Sequence, residues 1–429
     1  MDRTTIKGIR ANFSPHPLTG DDLIEETGLY VDTIAARTGS FEKSPIDDIF
    51  EACVTGGNYI QLLLGHRGCG KSTELNQLEI RLKNEKLTVR KIDCITEANI
   101  ANLKLEDILI LISNALLDIC NQKGINISER DINILGSFFA FIDKEEKIGE
   151  KEEININSGI GVNFSKIIKL VAEVKSKIMN TSETMTTIRN TIKLRFSEWN
   201  DSINNIIEKI KEKDNQNYPI IIFENFDRIV PTEEAIEIFK NGYLEKINTY
   251  IVYTFPVSLS YDAKFNTITQ YASSQIFPMI EVKTKEGKRN KKGFDTIKKI
   301  IEKRAELSLF DDEALDMIIE KTGGCLRDVF KCILDAAKYT DRKKMDKITP
   351  EEVIMALKDE KYNFLSRRIT MKDYPALNQI HRTKAEIENN SDMNRFLEAH
   401  VVLEYNGERW HDLHPLIYDF MYEHGRIEQ

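Results

Sequence analysis

No apolar run in this 429-residue chain approaches the roughly 20 residues a membrane-spanning helix needs. The opening Met1-Asp-Arg-Thr-Thr5 lacks the apolar core of a secretory leader, and the expectation is a cytoplasmic protein with no membrane partner. Cysteine is sparse: Cys53, Cys69, Cys94, Cys120, Cys325 and Cys332 are scattered, and none forms a C-x-x-C pair. That argues against a zinc site or redox dithiol. Positive charge is not in excess either. Sixty basic residues against 69 acidic ones leave a net charge of −9, so the bulk field does not favour nucleic acid. Any such contact would need a local patch. What is present is enough apolar residue, 41 %, for real cores, and a length that implies two or three domains.

The most informative stretch is Gly65-His-Arg-Gly-Cys-Gly-Lys-Ser72, a complete G-x-x-x-x-G-K-[ST] loop. Glycines let backbone N–H groups wrap a polyphosphate without Cβ clashes. Lys71 brings a mobile cation for the outer phosphates, and Ser72 a hydroxyl for Mg²⁺. The context agrees: Tyr59–Leu64 is an apolar run of strand length, and Leu75, Leu78 and Leu82 recur at helical spacing. The helix dipole then points its positive end at the same anion. Gly65, His66, Arg67, Gly68, Cys69, Gly70, Lys71, Ser72 and Thr73 form the expected phosphate-binding set.

Further strands are expected at Leu87–Ile92, Ile220–Phe223, Tyr250–Thr254 and Phe277–Val282. Apolar strands alternating with helices predict a parallel sheet covered on both faces, an α/β fold. The pattern breaks over about 124–213. There, Asp143–Glu153 is almost wholly charged, Ile154–Val162 reads as a hairpin around Asn157-Ser-Gly159, and two helices follow. The second is long, with Ile188, Ile192, Trp199, Ile203, Ile206 and Ile210 along a seam. This block is an insertion, either a packed arm or a partner-binding one. Lys283–Lys292 is a basic, flexible linker, followed by helices at about 294–307, 312–322 and 326–340. Thr349-Pro-Glu-Glu352 is a capping box with proline at the first helical position. Near the end, Val401–Tyr405 and Glu408–Leu413 flank Asn406-Gly407, a hairpin signal after helices that suggests a winged-helix module. His411 and His414 flank Leu413 without a cysteine or carboxylate set at ligand spacing, so they read as packing histidines. The domain reading is an N-terminal segment 1–45, a core 46–285, a helical lid 293–345 and a winged-helix-like domain 350–429.

A phosphate loop needs an acidic element to support Mg²⁺ and place water. Ile220-Ile-Ile-Phe-Glu224-Asn225-Phe-Asp227 ends an apolar strand in acids, at the edge where such sheets bind ligands. Glu224 is expected beside Ser72, supporting Mg²⁺ through water. Asn225 or Asp227 would orient or activate the attacking water.

With these elements the chain resembles P-loop ATPases of the AAA+ and STAND type, near their origin-recognition and Cdc6-like branch, over most of 45–340. The loop Gly65–Ser72 and the acids Glu224–Asp227 carry the likeness. So do Thr254 at a strand end, where the family places its first sensor, and Gly323-Gly-Cys-Leu-Arg327-Asp328, similar to the second-sensor motif. The resemblance implies a five-stranded αβα core, ATP rather than GTP, Thr254 near the γ-phosphate, and Arg327 on the lid reaching back to the phosphates. It also implies rings or clusters completed by an arginine from a neighbour; Arg189, Arg195, Arg228 and Arg304 are the candidates. One departure matters: the family's second acid is Asn225 here, and an amide cannot take a proton from water as a carboxylate can. Three functions follow. The first is an ATP-driven switch controlling homo-oligomerisation or an effector partner, which the resemblance links to antiphage defence or mobile-element maintenance. The second is a DNA-binding initiator or loader, disfavoured by the acidic terminal module (Glu404, Glu408, Asp412, Asp419). The third is a nucleotide-holding scaffold without turnover.

Overall fold

The computed structural model describes residues 2–40, 44–56, 59–139, 164–178, 183–362, 366–388, 390–405 and 409–427. The expected hairpin at Ile154–Val162, the charged run before it and the Asn406-Gly407 turn lie outside the described residues.

Five strands make one parallel sheet: β1 Tyr59–Gly65, β2 Val89–Asp93, β3 Ile220–Glu224, β4 Tyr250–Pro256 and β5 Ala272–Ile276, in the order β2-β3-β4-β1-β5. β1 lies between β4 and β5, with Leu62 opposite both Tyr253 and Ser274. β3 lies between β2 and β4. Central strands β3 and β4 are buried at every residue, which is why they read as unbroken apolar runs. This order brings the loop after β1, the acids after β3 and Thr254 of β4 to one carboxyl edge.

The fifth strand is not where the apolar run placed it. Phe277, Met279, Ile280 and Val282 are buried, but outside the sheet. They are apolar because they lie in packed cores: Phe277 and Met279 with sheet and terminal-hairpin residues, Ile280 and Val282 with the lid helices, and Met279 N donates to Glu404 O. The true edge strand, Ala272-Ser-Ser-Gln-Ile276, is too polar to stand out.

One sheet face is covered by helix Leu105–Lys123 and by the inserted helices, among them Phe164–Ile178, Glu183–Leu194 and Phe196–Lys213. Ile167, Val171, Ile188 and Trp199 are buried in that same core, and Trp199 Nε1 donates to Ser113 Oγ at 3.1 Å. The described part of the insertion is therefore a packed arm. Its expected long helix is broken at Arg195. The other face carries helices Pro45–Thr55 and Lys71–Asn84. The lid helices Lys291–Glu302, Asp312–Lys321 and Leu326–Arg342 form a further core with Pro350–Glu360 and the terminal segment. That segment has helices Tyr374–Thr383 and Asn390–Glu398, an antiparallel pair β6 Val402–Tyr405 and β7 Trp410–Leu413, and helix Pro415–Glu423.

The basic stretch before the lid is a tight turn, not a loose linker. Thr284 N donates to Lys288 O at 2.8 Å, and Arg289 and Lys283 pair with Asp316 and Glu320 of the lid. The N-terminal segment is not separate either: helix Ile6–Asn12 packs on Leu326–Arg342, with Phe13 edge-on to Phe330 at 5.5 Å. Among the described residues, no helix is long and apolar enough to cross a membrane.

Candidate functional site

β1 ends at Gly65, the chain turns, and helix Lys71–Asn84 starts from Gly70 in the left-handed region. The turn is pinned from behind by Arg37 of the N-terminal segment, which is 1 % exposed. Its guanidinium donates to Cys69 O (2.6 Å), Pro278 O (2.6 Å) and Thr33 Oγ1 (2.7 Å), and lies 4.2 Å from the Phe277 ring. Burial lowers its pKa, yet three acceptors hold the guanidinium as a cation.

Lys71 is 5 % exposed. Its ammonium donates to Gly65 O (2.7 Å) and His66 O (3.0 Å) and pairs with Asp227 Oδ2 at 3.0 Å. Burial works against ionisation of Asp227, but Lys71, then Arg67 and Arg228, outweigh it, and the carboxyl is held below its ordinary range. The tips of β1 and β3 are thus joined by an ion pair.

The remaining acids are also engaged. Glu224 pairs with Lys91 of β2 at 3.1 Å, and Lys91 also donates to Asn76 Oδ1. Asn225 sits at φ 59° and donates its amide to Asp93 Oδ1 at 2.8 Å. The Thr254 hydroxyl accepts from Phe226 N at 2.9 Å and lies 3.4 Å from Asp227 N. It is 1 % exposed and does not line the cavity, and here Thr254 shapes the acidic turn. Arg67 donates to Asp227 O at 2.9 Å.

The lid closes directly on the loop. Arg327 N donates to Gly68 O at 3.2 Å, and a Cβ on Gly68 would stand 2.6 Å from Arg327 Cβ. With φ at +87° as well, only glycine suits this position. Gly324 is equally constrained, since a Cβ there would meet Ile280 O at 1.9 Å. The Gly-Gly pair is therefore a packing requirement that sets Arg327 over the loop. The terminal segment reaches the loop too. His66 Nε2 accepts from Glu404 N at 2.9 Å, and burial pushes that imidazole down to about 4. Tyr405 Oη donates to Gly323 O at 2.9 Å.

These elements line one cavity of about 920 Å³. Of the nine expected loop residues, Arg67, Gly68, Gly70, Lys71, Ser72 and Thr73 line it, together with Glu224, Asn225, Asp227 and Arg327. Gly65, His66 and Cys69 sit behind it, and His66 faces the terminal hairpin. The Arg327 and Arg228 guanidinium groups make no hydrogen bond or ion pair with a described residue. Uncommitted guanidinium groups beside Lys71 suit a polyanion.

Sequence reasoning missed the N-terminal contribution. Leu18, Leu29 and Val31 give the cavity apolar walls with Ile300 and Phe330 of the lid. Buried Glu74 faces the cavity and accepts from Tyr30 Oη at 3.1 Å. Lys91 and Asp93 were missed because a lone strand-end charge carries no motif. Of the arginines proposed to act between chains, Arg189 is bidentate on buried Asp107 (2.9 and 2.7 Å) and Arg195 holds Glu198 at 2.6 Å. Arg304 is buried against Leu29 O and Ile300 O, and Arg228 lines its own chain's cavity.

No protein-family model matches the sequence, and no curated protein matches it. Solved structures do. Cdc6p from Pyrobaculum aerophilum is 11 % identical, with a TM-score of 0.39 over 95 % of this chain and all of that one. The ORC1 protein of Aeropyrum pernix, solved in complex with DNA, is 10 % identical, with a TM-score of 0.41 over 94 % and 95 %. A Walker-type ATPase of Pyrococcus abyssi is 14 % identical, with a TM-score of 0.42 over 96 % and 99 %.

Proposed function

We propose that this chain is an ATP-binding switch that hydrolyses ATP slowly and passes nucleotide state to the lid and the terminal winged-helix-like module. The observation that carries the reading is one cavity where Lys71, Arg327, Arg228 and the acids Glu224 and Asp227 converge at the loop after β1. The loop is a cradle that side chains would fill, as Gly68 demonstrates, and it opens a helix whose N-terminus favours phosphate. Ser72 and Glu224 both line the cavity and fit Mg²⁺, a hard cation that takes oxygen donors and lends charge to the phosphates. The apolar walls at Leu18, Val31 and Phe330 suit a nucleobase.

Within the chain, the work divides as follows. Lys71 exchanges the Asp227 carboxylate for phosphate oxygens. Asp227, ionised and freed of its partner, accepts a hydrogen bond from water. Arg327 and Arg228 meet negative charge as the lid packs down. Coupling is supported by the short paths from the loop: Arg327 N to Gly68 O into the lid, and Glu404 N to His66 into β6. Assembly with further copies, or with an effector protein, is the output we infer, and defence against phage is one setting that fits it. Lys71→Ala should weaken Mg·ATP binding at least 100-fold by calorimetry and abolish any ATP-dependent change in native mass. Unchanged affinity and mass would refute the switch.

A second reading has its own support. Asn225 is spent on Asp93, leaving Asp227 as the acid nearest Lys71. The chain would then hold nucleotide without turnover. A steady-state phosphate-release assay separates the two, since turnover that disappears in Asp227→Asn excludes the scaffold.

A further inference from the structure

Cys325 Sγ, a carboxylate oxygen of Asp328 and a ring nitrogen of His400 all lie within 4.8 Å of one another. Cys325 precedes the lid helix Leu326–Arg342, and Asp328 stands in its first turn. His400 comes from the terminal segment, between helix Asn390–Glu398 and β6, at φ 57°. Its ring makes no hydrogen bond with a described residue and meets the His66 ring edge-on at 5.4 Å. A fourth group is aimed at the cluster. His414 is 1 % exposed, and its Nδ1 accepts from Leu416 N at 3.2 Å, so its Nε2 carries the proton. That Nε2 lies 3.5 Å from Asp328 Oδ2, so its N–H faces the Asp328 carboxylate.

We propose that Cys325, Asp328 and His400 form a binding site for a zinc-class divalent cation, with His414 as the N–H donor that orients the Asp328 ligand. Thiolate, carboxylate and imidazole are the donors such a borderline-soft ion takes, and a water completes a tetrahedron. Bonds of about 2.0–2.3 Å put tetrahedral ligand atoms roughly 3.5 Å apart, so the cluster needs to contract by about 1.3 Å at most. A nearby carboxylate or histidine that orients a ligand is the usual second layer of these sites. Binding replaces the Cys325 S–H proton, which leaves to solvent, and no electron is transferred. A nucleophilic cysteine–histidine pair is the rival chemistry for these residue types. It does not fit: Cys325 is 0 % exposed, and its sulfur lies 4.0 Å from Arg67 O behind the loop, where no substrate reaches it. A cation here would clamp the lid to the terminal module directly beneath the phosphate loop.

The test uses the full chain, stripped with chelator and titrated with Co²⁺. We expect a thiolate-to-cobalt charge-transfer band and tetrahedral d–d bands that saturate at one equivalent and vanish when Zn²⁺ is added. Cys325→Ser should remove the charge-transfer band. His400→Ala and Asp328→Asn should weaken binding at least tenfold, and His414→Ala 10–100-fold. Cys332→Ser should leave every band intact. His400 is half-buried, so its variant gives an answer even where Cys325→Ser fails to fold. No thiolate band at one equivalent on protein with a native circular-dichroism spectrum overturns the site. So does a band that persists in both Cys325→Ser and His400→Ala. Neither result bears on ATP binding, which is read separately.

Discussion

Asp227→Asn isolates the ion pair at the centre of the site. It keeps the shape of the side chain and removes its charge, leaving the Lys71 ammonium with two carbonyls, Gly65 O and His66 O. Both partners are below 10 % exposed, so loss of one leaves a buried charge unpaired; such losses cost about 3–5 kcal/mol. The two carbonyls and the nearby backbone place the expected cost at the lower end, about 3 kcal/mol. Lys71→Met should cost a similar amount, and the double variant should recover much of it, because a removed pair costs far less than a broken one. The expected coupling is on the order of 2 kcal/mol. The pH dependence has a definite sign. The folded carboxyl is held below its unfolded value, so its stabilisation is full above about pH 4 and lost as pH falls through the folded pKa. The deficit of Asp227→Asn should therefore shrink in acid. Native-state hydrogen exchange of β1 and β3 amides reads these effects where a whole-chain melt would mix domains. The same pair competes with phosphate for Lys71, so Asp227→Asn should bind Mg·ATP more tightly, by on the order of tenfold, or about 1.4 kcal/mol. Additive single variants, together with unchanged or weaker nucleotide binding, would refute the reasoning.

Two further outcomes follow. Burial is the main influence on Glu74, raising it to about 7, while Arg37 and the Tyr30 hydroxyl pull it down. A raised folded pKa means stability present at low pH and lost as pH rises through about 7, with roughly 3 kcal/mol at stake. Glu74→Gln should therefore gain on the parent between about pH 4.5 and pH 7 in urea titrations, and parallel pH profiles for the two proteins would sink this. Arg37→Met removes three hydrogen bonds from the buried rear of the loop. We expect a loss of about 2–4 kcal/mol and at least tenfold weaker Mg·ATP binding by calorimetry. A variant of parental affinity would show that the loop keeps its shape without that brace.

Much of the site was legible because its chemistry is local. A phosphate loop is contiguous, and both central strands are buried on two faces, so they had to be apolar runs. The Gly-Gly-x-x-Arg327 element was noticed only through the family resemblance; the structure supplies its physical reason, the close approach of Ile280 O to Gly324. Where the sequence misled, a residue's surroundings came from a distant segment. Phe277–Val282 looked like a strand because it is buried: Phe277 and Met279 lie in the core on one sheet face, and Ile280 and Val282 lie among the lid helices. The true β5 is an edge strand whose polar residues satisfy the ladder without a hydrophobic signature. Thr254 was read from its place at a strand end; in the structure its hydroxyl accepts from Phe226 N and lies near Asp227 N.

The sequence by itself determined a G-x-x-x-x-G-K-S turn after an apolar strand, a parallel α/β sheet, acids at the end of β3, and helices beyond it. Those features follow from backbone sterics and burial periodicity within a few residues of chain. Only the tertiary structure decided which charges meet: Lys71 with Asp227, Lys91 with Glu224, Arg37 behind Cys69, and His400 beside Cys325 and Asp328. Coulomb and ligand interactions act through a few ångströms of space, and the fold alone sets which residues stand that close.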